Sequence, residues 1–83
     1  MKNKEKLIIV KQNDGCALIK ICVFEACVYA IYVQKGEDIA MEIVGKNEER
    51  AEELFEQIVK GELSPIHLGD YIADKALETE IFR

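Results

Sequence analysis

The sequence predicts an α+β domain: a four-stranded antiparallel β-meander followed by two C-terminal helices packed on one face. Three observations carry this. Apolar residues in the front half alternate with a period of two and are rich in Val, Ile and Tyr. Turn-forming residues interrupt them at short intervals, and short connections suit antiparallel neighbours because parallel ones need long crossovers. After Lys46 the apolar period changes to 3.6. The chain has 83 residues, 49% apolar and 33% charged, which suits one globular domain spanning 1–83 with frayed ends at 1–5 and 79–83.

The first strand is read over residues 7–12, and Asn13, Asp14 and Gly15 then supply a turn that tolerates positive φ, so a hairpin follows. Residues 16–24 and 27–34 form strands two and three. Lys35, Gly36 and Glu37 turn the chain into strand four, residues 39–44, with Gly36 taking the unusual backbone angle. Ala51, Leu54, Phe55, Ile58 and Val59 then lie on one helix face, with Asn47 as cap, glutamates in the first turn and Lys60 with Gly61 closing the end. Ser64 caps a second helix with Pro65 in its first turn, and Leu63 and Leu68 have the spacing of a hydrophobic staple. Leu68, Ile72 and Ala76, flanked by Tyr71 and Leu77, continue its apolar face. Gly69, unusual inside a helix, is read as allowing the two helices to approach closely.

Two helices cover one face of a four-stranded sheet. Ala17, Ile19, Ile21 and Val23 make the cleaner apolar set on strand two, and that set is the expected core. The remaining face then presents Leu18, Cys22, Phe24, Val28, Ala30 and Tyr32, interrupted by Lys20, Glu42 and Gln34. An apolar patch of this size on a small protein marks an interface, and a closed two-fold dimer is the commonest arrangement for a self-complementary surface.

Eleven Lys and Arg stand against sixteen Asp and Glu, for a net charge of −5. Residues 1–46 carry +1 and residues 47–83 carry −6. The acidic half favours a basic protein partner and repels phosphate backbones, which argues against nucleic acid. A helix–turn–helix reading of residues 47–77 fails for the same reason, because only Lys75 is basic on the second helix. Residues 16–33 contain 16 apolar residues of 18, but Lys20 and Glu25 would each cost ~2.5–3.5 kcal/mol near the centre of a membrane helix. Two strands fit that stretch better, so no membrane partner is expected. Three cysteines, an odd number, and an apolar run of only four residues near the start give no secretory signature, so cytoplasmic, reduced thiols are expected.

No catalytic residue, metal or cofactor emerges from the spacing of reactive groups. Cys16, Cys22, Cys27 and His67 lack a CxxC pair, and Cys16 and Cys22 would lie ~20 Å apart on a straight strand. Buried structural thiols are the expected role. His67, Asp70 and Asp74 share a helix face and form the candidate ligand site, although no nucleophile can be placed beside them. Glu48, Glu49, Glu52, Glu53 and Glu56 read as a solvated face. The five glycines are too scattered for a phosphate loop.

Leu63, Ser64, Pro65, Ile66, His67 and Leu68, followed by Asp70, Ile72 and Asp74, resemble the C-terminal L-S-P-x-H-L-x-D-x-I-x-D pattern of a small family of uncharacterised Firmicutes proteins. The likeness spans residues 27–77, with its specific part at 63–74. It implies a bacterial, cytosolic domain of unknown function, and it carries over no catalytic role to any residue. Taken with the residues themselves, the expected function is a small non-catalytic interaction or regulatory module that self-associates. The rival is a small-molecule or metal binder built on His67 and Asp70.

Overall fold

In the computed structural model, which describes residues 5–79 with side chains to Lys75, four strands form one antiparallel sheet in chain order. They are β1 (Glu5–Asn13), β2 (Cys16–Val23), β3 (Ala26–Lys35) and β4 (Asp38–Gly45), followed by helices α1 (Glu48–Gly61) and α2 (Pro65–Thr79). The α+β meander with two C-terminal helices is therefore as expected. Of the ends expected to fray, Glu5 pairs with Val23 and Thr79 lies in α2, while residues 1–4 and 80–83 fall outside the described part.

Each strand connection is a two-residue turn. Asp14 and Gly15 both take positive φ, +43° and +90°, as a type I′ hairpin requires. Gly36 supplies +62° between β3 and β4. Between β2 and β3 the corresponding position is Phe24, at +58°, where a bulky side chain is sterically costly. Phe24 is thus a turn residue and not the end of strand two.

The helix caps follow the sequence closely. Asn47 accepts the amide hydrogen of Arg50 at 3.0 Å, and Ser64 Oγ accepts that of Ile66 at 3.2 Å. The C-terminus of α1 differs by one residue. Gly61 stays helical, and Glu62 takes the left-handed conformation at φ 53°. The amides of Glu62 and Leu63 donate to the carbonyls of Val59 and Ile58, both at 3.2 Å, completing a Schellman motif without its usual glycine.

The helices cover the opposite sheet face from the one expected. Directly paired residues in an antiparallel ladder point to the same side. The register pairs Leu18 with Ile31 and Cys16 with Val33 on β2 and β3, and Val33 with Ala40 on β4. This is the helix side, where Leu18, Tyr29, Ile31, Val33 and Val44 pack with Ala51, Leu54, Phe55, Ile58, Leu68 and Ile72. Ala17, Ile19, Ile21 and Val23 lie on the other side. Lys20 and Glu42, which made the helix-covered face look less suitable as a core, sit at its margins. The Lys20 ammonium lies 5.9 Å from the Tyr29 ring centre, and Glu42 is exposed beside Gly69. Long polar side chains can reach water round the edge of a packed layer, so a mixed face can still be the core.

Gly69 serves the sheet and not the helix pair. A Cβ there would lie 3.2 Å from the Glu42 carboxylate on β4. The two helices are joined instead by the Tyr71 hydroxyl, which donates to Gln57 Oε1 at 2.6 Å. The side chains of Ala76 and Leu77, expected on the apolar face of α2, lie outside the described residues.

Candidate functional site

Among the described residues no element packs over the sheet face away from the helices, which leaves it bare, and its composition follows from the register. Ile9, Ile19, Ala30 and Ile43 form one row across all four strands. Gln12, Ala17, Tyr32 and Met41 form a second, and Leu7, Ile21 and Val28 a third. Leu7, Ile9, Ile39, Met41 and Ile43 are 50–70% exposed. Ala17 and Ala30 in the middle are buried between their neighbours. Polar groups stay at the rim, where Glu5 ends one edge and the Tyr32 hydroxyl donates to Gln34 Oε1 at 3.0 Å. Four strands ~4.8 Å apart, each of ~eight residues at ~3.4 Å, give a face on the order of 500 Å² in projection. Accessible area exceeds projection because the side chains stand away from the sheet.

The six residues expected at the interface separate into three groups. Val28, Ala30 and Tyr32 belong to the bare face. Leu18 is fully buried beneath the helices and cannot contribute. Cys22 points to the helix side, and Phe24 stands 76% exposed at the tip of the β2–β3 turn. The most exposed members, Ile39, Met41 and Ile43 on β4 with Leu7 and Ile9 on β1, were not among the six. Alternation along residues 39–44 puts Ile39, Met41 and Ile43 on one side of β4, but the join between faces of different strands depends on the register.

Cys22 and Cys27 form a disulfide, which corrects the expectation of three reduced, buried thiols. The reason is local geometry. A two-residue turn centred on Phe24 and Glu25 makes Cys22 and Cys27 direct partners, with Cα atoms 4.0 Å apart. That is the closely approached kind of cross-strand pair. The symmetric placement of both cysteines about those two turn residues was the available signal. Cys16 remains free and half-buried. Burial pushes its thiol pKa up, and the nearby Asp14 carboxylate adds to this.

His67, Asp70 and Asp74 are all exposed on α2, and no side-chain hydrogen bond joins them among the described residues. No group of three His, Cys, Asp or Glu among those residues is placed to hold a metal ion. Two grooves border α1. One is lined by Lys11, Asn13, Glu56 and Lys60, the other by Asn13, Cys16, Val33 and Leu63, and neither includes His67. Lys11 bridges the first by donating to Glu56 at 3.0 Å, and this hydrogen bond raises the lysine pKa. No helix among the described residues is long and apolar enough to cross a membrane. Compared with protein-family models, curated proteins and solved structures, the chain matches none of them.

Proposed function

We propose that this chain is a small non-catalytic interaction module that self-associates by packing the bare sheet face of one copy against that of another. The observation that carries this reading is the row Ile9, Ile19, Ala30 and Ile43, apolar across all four strands, over which no element packs among the described residues. A standard interface takes about 800 Å² from each partner, and the bare face is of that order once its standing side chains are counted. Sheet-on-sheet packing with ~10 Å between layers would bury it, as in a β-sandwich. Because the face is one patch meeting its own copy, a two-fold dimer closes the arrangement.

In this reading the acidic outer side of α1 stays on the outside of the dimer, free to meet a basic protein. The cytoplasm of a bacterium is the setting, and the Leu63 to Asp74 pattern supports membership of the Firmicutes family it resembles. The rival site at His67 and Asp70 gains no support from the two grooves beside α1, because its side chains are solvent-facing and line neither of them.

Sedimentation equilibrium on the wild type and on Ile43→Glu, Tyr32→Glu and Val28→Asp tests the reading. The wild type is expected to dimerise, and each variant to stay monomeric with an unchanged circular dichroism spectrum. A wild type that remains monomeric at every concentration, or folded variants that dimerise equally well, would overturn it.

A further inference from the structure

The β2–β3 hairpin supplies the centre of the bare face, and its far end is fastened in an unusual way. Ile21, Val23, Ala26 and Val28 point to the bare face, while Cys22 and Cys27, interleaved with them, point to the other side. Among the described residues, neither cysteine belongs to the helix-covered core or packs against it. The turn beyond them is exposed and carries Phe24 at a costly positive φ. Among the described residues, the end of this hairpin is therefore held by its own ladder and by the disulfide.

We propose that oxidation of Cys22 and Cys27 strengthens self-association through the bare face, and that reduction weakens it. This rests on the self-association reading above. With the disulfide closed, the Ile21–Val28 and Val23–Ala26 pairs keep one twist and register, so docking costs little ordering. With it open, the strained turn pulls the last pairs apart, and docking must order them again. In the oxidising step the two thiols each lose a proton and one electron as the S–S bond forms. A small-molecule disulfide such as oxidised glutathione takes up both and is cleaved to two thiols. Cys16 takes no part, since it lies at the opposite end of β2.

Linkage adds a second signature. If oxidation tightens the dimer, dimerisation must make the disulfide harder to reduce by the same factor. The test uses the full chain carrying Cys16→Ser, so that no other thiol can exchange. Its dimer dissociation constant is measured by sedimentation equilibrium after oxidation with glutathione disulfide and after reduction with dithiothreitol, with the redox state checked by intact mass. Cys22→Ser with Cys27→Ser serves as the permanently open form. The oxidised protein is expected to dimerise about tenfold more tightly, well within the range of coupling between sites. The open form should match the reduced protein in either reagent. In glutathione buffers, the fraction oxidised should rise with protein concentration.

Equal dissociation constants in the two redox states would overturn the gating and leave self-association standing. A monomer in both states would overturn self-association and the gating with it. Failure of Cys22 and Cys27 to pair under glutathione disulfide would also sink the proposal, whatever the oligomeric state.

Discussion

The backbone amide of Gln34 donates a 2.7 Å hydrogen bond to the carbonyl of Gly15, and a Cβ on Gly15 would lie only 2.8 Å from the Gln34 carbonyl oxygen. The first hairpin turn thus leans onto the end of β3, tying two connections of the meander together. Glycine is needed here twice over, for its φ of +90° and for the space. Gly15→Ala is expected to lower unfolding free energy by about 1–3 kcal/mol, measured by urea denaturation. An unchanged midpoint would mean that the turn moves away freely.

Glu62 holds a left-handed conformation that glycine adopts without strain. Glu62→Gly should therefore stabilise the protein by about 0.5–1 kcal/mol, even though glycine raises the entropy of the unfolded chain. For a domain of this size that is a rise of a few degrees in Tm, since ~1 kcal/mol moves it by ~4–8 °C. A fall in Tm would show that the glutamate side chain contributes more than its backbone strain costs.

The two sheet faces should respond oppositely to truncation. Leu18→Ala removes a fully buried side chain from the helix-covered core and is expected to cost about 2–5 kcal/mol. Ile43→Ala, on the bare face, should change the stability of the monomer by less than about 0.5 kcal/mol. Chemical denaturation at concentrations below any dimerisation separates the two. Comparable losses would mean that the face assignment is mistaken.

Cys16 should be a sluggish nucleophile at neutral pH. Burial and then Asp14 raise its pKa above the ordinary 9.0, so the thiolate is scarce until the pH exceeds that value. The folded state binds this proton more tightly than the unfolded chain does. Its contribution to stability is therefore present below the unfolded pKa and lost as pH rises through the folded one. Iodoacetamide alkylation followed by mass spectrometry, on protein with Cys22 and Cys27 oxidised, should show a rate that climbs only in that alkaline range. Asp14→Asn should move the climb to lower pH.

Lys11 and Glu56 make a solvent-exposed pair, so its effect should appear in titration more than in stability. The hydrogen bond from Lys11 to Glu56 holds the lysine pKa above 10.5. The attraction is present below that value and lost as pH rises through the raised pKa. In Glu56→Gln the Lys11 pKa should fall back, which NMR titration of its side chain would detect. An unmoved pKa would mean that the pair does not persist in solution.

Much of the fold was legible because its signals are local. Asp14 and Gly15 demand a type I′ turn, Asn47 and Ser64 cap helices by bonds to amides two or three residues away, and Pro65 fits a first turn that needs no amide hydrogen. The bare face was only half legible. Val28, Ala30 and Tyr32 were grouped correctly because alternation within one strand fixes their side, but Leu18 was joined to them wrongly because no single strand says which of its faces meets which face of the next.

By itself, then, the sequence determined four strands, two helices, their order, their N-terminal caps and a surplus of apolar side chains for two helices to cover. Tertiary structure decided which face the helices took, that Cys22 meets Cys27, and that Gly69 makes room for Glu42 and not for α1. Those are matters of register and of contact between residues far apart in the chain. A one-residue shift in pairing reverses every side chain of a strand, so they settle only when the whole sheet and its helices pack together.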